Sequence, residues 1–501
     1  MTEKIYFTSG VQIPGSLELS IRRLNPWWEG KPLPILPLTR RHIVKNMKQR
    51  LDRKLAPIIV VRGPRQIGKT TAQLQFIDDL LRSGVPSLDI FRMQFDELPE
   101  LMRFEDPILR IVDWYEKNIL KQSLNEAAHH GKQIYLFFNE VQNLAGWAPQ
   151  LKFLVDSSTV SALVTGSSAL RIELGRDSLA GRIHTIETGV LSLTEIAQFW
   201  DIPLGQPIWE ENGLEPITSK EFWLTLRDHG KHVAVYRDEA FLKFSKRGGY
   251  PLAHNKREIA WPYIADQLNE TVIQRVIQHD LRIGDRGRKR DAPLLEELFR
   301  LACRYAGQAP SLHLLARETQ RALHANVGSQ RVNNYLRFLG DTLLLRLIDP
   351  LEIRLKKKKG SSKICLADHG LRASWLQESV PLAPEELKTQ DHLTTLAGHL
   401  AESVTGAALC TISGLDIVHF PERDNEPEVD FVLTAGVKRI PIEVKYQRRI
   451  DPFNDTEGLR SFIEKTLNNA PFGVLITQTD DVIIEDPRII ALPLSTLMLL
   501  R

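Results

Sequence analysis

An α/β multidomain architecture is what this sequence predicts, and three observations predict it. Short apolar runs at Ile58 to Val61, Ile90 to Gln94, Ile134 to Phe138, Ala162 to Thr165 and Ile183 to Glu187 alternate with stretches of helical length. That is the pattern of a parallel sheet covered by helices. A glycine-rich loop, Gly63 to Lys69, follows the first run and opens the amphipathic stretch Thr70 to Leu81. A second α/β unit, from about Asp391 to Arg501, closes the chain and contains a hairpin whose register can be counted.

The chain has 501 residues, too many for one ordinary core, and at about 150 residues per domain it suggests roughly three units. Apolar residues make up 43% and charged residues 25%, the balance of a soluble globular protein rather than a disordered one. The formal charge is only +3, so any nucleic-acid site must be a local patch. Cys303, Cys365 and Cys410 are the only cysteines, odd in number and widely spaced, which excludes a disulfide framework or a Cys-based zinc site. No run reaches the roughly 18 apolar residues needed to span a bilayer. We therefore expect no export or membrane anchoring, and a reducing, cytoplasmic setting.

Five segments follow along the chain. Residues 1–50 hold Pro14, Pro26, Trp27, Trp28, Pro32, Pro34 and Pro37, a composition that resists long helices and suits a strap across another domain. Residues 51–200 carry the strand–loop–helix pattern. Residues 201–285 are polar and largely helical, as a lid following a nucleotide-binding core would be. In 286–380 a helical segment, Leu294 to Asp341, leads into the runs Leu343 to Ile348 and Ile364 to Ala367, with Lys356 to Lys359 between them. Helices followed by a hairpin with a basic tip read as a winged helix. Pro381 and Pro384 mark a linker to the final unit, 391–501.

Gly63-Pro64-Arg65-Gln66-Ile67-Gly68-Lys69-Thr70 matches G-x-x-x-x-G-K-[ST] in the position its mechanism requires, after a strand and before a helix. Glycines let backbone N–H groups wrap phosphates, Lys69 reaches the β/γ-phosphates, and the Thr70 hydroxyl binds Mg²⁺, with Thr71 next in the helix. The Ile134–Phe138 strand ends at Asn139-Glu140, where such an ATPase normally has an aspartate for Mg²⁺ and a glutamate that activates water. Glu140 fits the second role. Asn139 brings no charge, which predicts weaker Mg²⁺ affinity and slower turnover. Thr165-Gly166-Ser167-Ser168 ends another strand, where Ser167 is a candidate γ-phosphate sensor and a helix cap the alternative. Arg182, in Leu179-Ala180-Gly181-Arg182, is either an arginine finger, acting in its own or a neighbouring subunit of a homo-oligomer, or a surface salt bridge.

The order NPWW, GPRQIGKTT, FNEVQN, TGSSAL, LAGR, LSLTEIAQF and GGYP resembles a large prokaryotic AAA-type P-loop ATPase family whose C-terminal half carries a restriction-nuclease-like domain of unknown function. The resemblance covers nearly the full chain, departing at Asn139. It implies a P-loop AAA core, a helical lid, a winged helix and a C-terminal PD-(D/E)XK-like α/β domain, with ATP and Mg²⁺ as cofactors.

In the last unit, a two-residue Gly436-Val437 loop would set Ala435 opposite Lys438 and, further out, Asp430 opposite Glu443, with the two carboxylates roughly 5 Å apart. Opposed like charges need a cation between them, here Mg²⁺ or Mn²⁺ on hard oxygens. Asp430, Glu443 and Lys445 resemble the D…E-x-K signature of restriction-type nucleases, in which carboxylates hold metal and lysine orients water. Glu402 is similar to that signature's first-helix acid, and Gln447 is a further candidate. A structural ion-pair cluster in an inactive fold is the alternative. Ser329 is expected to cap a helix presenting Arg331, Asn333, Asn334 and Arg337, with Lys356, Lys357, Lys358 and Lys359 as the wing, giving electrostatic, weakly sequence-specific DNA contacts. A solvated loop is the alternative there, and Arg286 to Arg290 read as a mobile basic loop. Two functions are therefore expected: an ATP-driven DNA-binding machine with a metal-dependent nuclease-like domain, or a nucleotide-switched scaffold that does not cut. Remodelling of branched DNA is a third possibility.

Overall fold

The structure, a computed structural model, describes residues 13–95, 98–166, 179–209, 213–279, 291–352, 360–422 and 426–501. It divides into two compact units, Met1–Thr188 and Gly189–Arg501.

The first unit is built on strands β1 (Ile58–Arg62), β2 (Ile90–Gln94), β3 (Tyr135–Asn139), β4 (Ser161–Gly166) and β5 (Ile183–Glu187). They form one parallel sheet in the order β2-β3-β4-β1-β5. Successive side chains leave a strand on opposite faces. Ile58, Val60, Leu136, Phe138, Ala162 and Val164 accordingly enter one core, and Ile59, Val61, Phe137 and Leu163 enter the other. Burial on both faces is why these strands are almost continuously apolar.

The segment before β1 departs from the expected strap. It contains two helices, Gly15–Leu24 and His42–Arg53. Pro14 stands at the first helix's N-cap and Pro26 begins the turn after it, so the prolines bracket the helix and interrupt nothing. The turn then covers the edge strand β2. Asn25 Nδ2 donates to Arg92 O at 2.8 Å while its Oδ1 accepts from Arg92 N at 2.7 Å, and the Trp27 and Trp28 indoles both donate to Ile90 O. An exposed strand edge is thereby satisfied by side chains.

In the second unit, the helices expected to form a lid, among them Lys220–His232 and Ala234–Arg247, are bonded to the end of the chain. Arg237 is 2% exposed. Its guanidinium donates to Asp480 Oδ2 at 2.6 Å and to Thr496 Oγ1 at 2.7 Å. Three helices, Ala292–Arg304, Leu312–Leu323 and Ser329–Asp341, precede the antiparallel pair β6 (Leu345–Ile348) and β7 (Lys363–Leu366). Ser329 is not the cap that the sequence suggested. Gly328 holds the N-cap position, no side chain caps it, and Ser329 is the first helical residue.

The C-terminal sheet has the order β12-β11-β10-β9-β8. Its strands are β8 (Asp416–Phe420), β9 (Val429–Ala435), β10 (Lys438–Val444), β11 (Gly473–Thr477) and β12 (Ile489–Pro493). β8, β9 and β10 are antiparallel, whereas β10, β11 and β12 run parallel. The crossover from β10 to β11 carries the Glu457–Glu464 helix, whose Leu459 and Phe462 pack on Val429, Val432 and Leu475. Among the described residues no helix is long and apolar enough to cross a membrane.

Candidate functional site

Because every strand of the first sheet runs the same way, the segments that follow β1, β3 and β4 emerge on one edge. The loop after β1 must turn without side-chain bulk. A Cβ on Gly63 would lie 2.4 Å from Thr188 O and 2.5 Å from Ile67 Cδ1, and Gly68 adopts φ +87°. Neither position accommodates another residue without strain. Ile67 is buried beneath the loop. Lys69, 7% exposed, folds its ammonium back over the loop and donates to Gly63 O at 2.9 Å and Pro64 O at 2.7 Å. The loop is gripped from outside by Arg41, whose guanidinium donates to Ile67 O at 2.6 Å. Arg41 was not singled out from the sequence, since nothing local to residue 41 announces a partner 26 positions away.

Thr70 is the second residue of the Lys69–Arg82 helix that follows, and its Oγ1 accepts from Asn139 Nδ2 at 3.2 Å. Asn139 Oδ1 accepts from the Thr165 hydroxyl. Thr165, Asn139 and Thr70 thus form one hydrogen-bonded chain along the strand ends, with Asn139 and Thr165 both buried. Glu140 follows with φ +54°, a left-handed conformation that a non-glycine residue adopts only when its surroundings hold it. Its backbone N–H bonds Thr165 O at 2.8 Å, and its carboxylate accepts from Gln142 Nε2 at 2.5 Å. The cradle fits a nucleotide: backbone amides without Cβ obstruction, a lysine held at the loop, and a hydroxyl at the helix start. Mg²⁺ would find the Thr70 hydroxyl and an uncharged Asn139. Ser167 lies outside the described residues.

Arg182 is on the wrong edge for this pocket in its own subunit. It precedes β5, whose Ile183 is level with Ile58 at the start of β1, whereas Gly63 follows the end of β1. The intervening strand spans about 16 Å at ~3.3 Å per residue. Arg182 makes a two-pronged bond to Asp156, 2.5 Å from Nε to Oδ1 and 3.0 Å from Nη2 to Oδ2.

A second cluster forms in the C-terminal unit. The β9–β10 register runs from Ala435↔Lys438 to Phe431↔Ile442, so the next residues, Asp430 and Glu443, are level. Asp430 Oδ2 accepts from Val444 N at 2.9 Å, and Glu443 Oε1 is 2.8 Å from Lys445 Nζ. The cation beside Asp430 is Lys363, which begins β7. Its Nζ lies 2.5 Å from Asp430 Oδ1, 3.0 Å from Glu402 Oε2 and 3.5 Å from Glu428 Oε1. Lys363 was missed in the sequence reading, and its one signal was a lysine opening the apolar run Ile364 to Leu366. Gln447 lies aside, bonded to Asp455.

Electrostatics follow the geometry. Burial opposes ionisation of Asp430, but the Lys363 ammonium together with the Val444 N–H and Lys445 outweighs it and holds the carboxyl below its ordinary range. Burial likewise works against Lys363, yet Asp430, Glu402 and Glu428 keep it firmly protonated. Glu443 is pushed up to about 8 by burial and by Asp430, and its Oε2 has no hydrogen-bond partner. Burial and Asp430 also raise Glu402. All of these line a cleft of about 580 Å³ in which, among the described residues, seven carboxylates, with Glu422, Asp455 and Glu457 among them, face two lysines. The carboxylates do not fit a metal in this arrangement. Three of them converge on an ammonium, and among the described residues no group of three or more His, Cys, Asp or Glu side chains is arranged to hold a metal ion.

Of the candidate nucleic-acid residues, Arg331, Asn334 and Arg337 are exposed on the Ser329–Asp341 helix. Arg331 pairs with Asp291 at 2.9 Å and lies over the Tyr335 ring, and Asn334 accepts from Gln330. Lys356 to Lys359, like Arg286 to Arg290, lie outside the described residues.

The glycine cradle on a parallel sheet defines the first unit as an ATPase-like P-loop domain. Comparison with known proteins agrees: residues 55–197 match the family model of an AAA domain, while 238–381 and 397–497 match two families described only as domains of unknown function. An uncharacterized protein of Haemophilus influenzae is 22% identical over 322 residues, 63% of this chain and 68% of that protein. Uncharacterized proteins of Mycobacterium bovis and Mycobacterium tuberculosis are each 24% identical over 340 residues, 67% of this chain. The match spans only 59% of the length of either mycobacterial relative. Among solved structures, the Walker-type ATPase of Pyrococcus abyssi is similar at 12% identity with a TM-score of 0.37, covering 68% of this chain and 99% of that one. Cdc6p from Pyrobaculum aerophilum is similar at 12% identity with a TM-score of 0.27, covering 70% and 97%. At these scores neither structure carries an argument about this chain.

Replacing Asp430 by Asn takes from the buried Lys363 its nearest counter-charge. Breaking a buried ion pair on one side costs about 3–5 kcal/mol, and the retained Glu402 and Glu428 set the expectation for Asp430→Asn at the low end, about 3 kcal/mol. Urea unfolding followed by circular dichroism measures it, and a midpoint unchanged from wild type would contradict the pairing.

Proposed function

We propose that this chain is an ATP-binding and ATP-hydrolysing switch that holds DNA through its helix–hairpin segment, and that its C-terminal nuclease-like domain does not cut it. The observation that carries the nucleotide half is the cradle of Gly63, Gly68 and Lys69 joined to the Thr70–Asn139–Thr165 chain. On binding, Lys69 would exchange two loop carbonyls for phosphate oxygens. Mg²⁺, held by the Thr70 hydroxyl, would neutralise phosphate charge, and Glu140 would orient the attacking water. Arg182 supports an arginine finger only toward a neighbouring copy, so hydrolysis at full rate is proposed to need a homo-oligomer.

The DNA half rests on three helices followed by a hairpin, read as a winged helix, with Arg331, Asn334 and Arg337 turned outward and four lysines in the hairpin connection. Binding of this kind follows the phosphate backbone and weakens with salt. The non-cutting reading of the last domain is supported by its charge. Among the described residues the cleft has five more carboxylates than lysines, an excess that disfavours a phosphodiester. A second reading, metal-dependent cleavage with Mg²⁺ or Mn²⁺ at Glu402, Asp430 and Glu443, is favoured by the unpartnered Glu443 Oε2 beside Lys445. DNA cleavage that requires metal and disappears in the Asp430→Ala, Lys445→Ala double variant would establish that second reading.

Hydrogen bonds to charged groups contribute ~1.5–3 kcal/mol, so Lys69→Ala should weaken ATP binding by about 10- to 100-fold. Calorimetry on the folded protein reads this directly, and unchanged affinity would remove the nucleotide proposal. Asn139→Asp should shift half-maximal ATPase activity to lower Mg²⁺, because a carboxylate accepts from both the Thr70 and Thr165 hydroxyls and adds charge. An identical Mg²⁺ dependence would show that residue 139 does not approach the metal. For DNA, the Arg331→Ala, Arg337→Ala double variant should flatten the log–log dependence of affinity on salt by about 2. A slope equal to wild type would place the contacts elsewhere.

A further inference from the structure

The carboxylate centre already contains a cation, and it belongs to the protein. We infer that Lys363 is the resident cation of the acidic cleft: its ammonium stands where the nuclease-like signature places a divalent ion, and the centre holds no metal of its own. The inference rests on reading residues 391–501 as nuclease-like.

Three observations carry it. Nζ of Lys363 faces Asp430, Glu402 and Glu428 at 2.5, 3.0 and 3.5 Å, and an ammonium has three N–H donors for three carboxylates. A divalent ion would need the same oxygens at about 2.0–2.6 Å, a position that the ammonium fills and whose charge it opposes. Second, Lys363 is not a surface lysine that has drifted inward. Its side chain is 2% exposed, its backbone pairs with Ile348 across the β6–β7 ladder, and the adjoining Ile364 N–H bonds Gln308 O at 2.9 Å. Withdrawing Nζ would break its hydrogen bonds to Glu402 and Asp430. Third, Glu443 turns away from this group to Lys445 through one oxygen and leaves the other without a partner. A divalent ion there would meet one free carboxylate oxygen with the Lys445 ammonium already bonded to the other oxygen of the same group.

The fixed charge therefore does structurally what a metal would do, joining the Thr394–Leu409 helix, β9 and β7, while offering no Lewis acid to a substrate. Removing it should turn the cluster into a divalent-cation site, because affinity of such sites rises with the count of uncompensated ligand charge.

The test is a Mn²⁺ titration of the full-length protein without nucleotide, following the free Mn²⁺ signal by electron paramagnetic resonance. Wild type is expected to bind no Mn²⁺ that Asp430→Asn or Glu443→Gln removes. Lys363→Ala is expected to gain one Mn²⁺ equivalent about tenfold or more tighter than any wild-type binding, and to lose it when Glu402→Gln is added. Lys363→Arg keeps the charge and should remain without Mn²⁺, which preserves the comparison if the alanine variant does not fold. Wild-type uptake of one Mn²⁺ abolished by Glu443→Gln would overturn the inference and leave the nuclease-like reading standing. A folded Lys363→Ala protein that gains no Mn²⁺ would overturn both, since the carboxylates would then be no metal-type cluster.

Discussion

Parallel strands deliver all their C-terminal ends to one edge, and that constraint governs which side chains of the first unit can act together. Gly63 follows β1, Asn139 ends β3 and Thr165 stands one residue before the end of β4. Because β4 lies between β1 and β3, Thr165 comes alongside Asn139 and the hydrogen-bonded chain to Thr70 forms without any loop having to reach. The same rule sends Arg182 to the opposite edge, since it enters β5 where Gly63 leaves β1. Side chains far apart in sequence meet when they occupy the same end of neighbouring strands, and side chains within one motif-rich segment separate when they do not.

Two substitutions of charge then give this chain its particular chemistry. At the nucleotide pocket an amide stands where a carboxylate is usual. Asn139 accepts from one hydroxyl and donates to another, a neutral chain that costs little to bury because every group in it is paired. At the C-terminal cleft the reverse holds: several carboxylates are brought together, and their mutual repulsion is relieved by a lysine from another strand pair. Buried like charges without such relief would shift toward protonation, and Glu443, the one turned away from Lys363, is the group whose pKa is pushed up to about 8.

Local features were legible in the sequence. The strands showed because burial on both faces demands continuous apolar runs, and the glycine cradle showed because its spacing and its strand–helix setting coincide. The β9–β10 register was countable because Gly436 with φ +62° makes a two-residue turn that fixes every pair beyond it. What was not legible depends on distant partners. Lys363 meets Asp430 across 67 residues, and Arg237 meets Asp480 and Thr496 across 243 and 259. No periodicity encodes such pairings. The two helices before β1 were obscured for a different reason: counting prolines over the whole segment hid the 11 residues between Pro14 and Pro26, enough for three turns.

The unevenness of charge between the segments argues for a division of labour. Lys69 lies on the loop after β1, and Arg331 and Arg337, the groups proposed to meet phosphate, lie on the outward face of the Ser329–Asp341 helix. The 580 Å³ cleft between Lys363 and the last domain carries, among the described residues, an excess of carboxylates instead. A polyanion brought near that helix would be attracted there and turned away from the cleft, whose mouth includes the half-exposed Glu428. Cleavage at the cleft would therefore require extra cations to reverse the sign of the field, yet the position with the highest density of carboxylate oxygens is held by Lys363. A fixed ammonium relieves repulsion inside the fold, bonded as it is to Glu402 and Asp430 with Glu428 at 3.5 Å. On the proposed reading, this centre holds three elements together and does not hold a scissile phosphate.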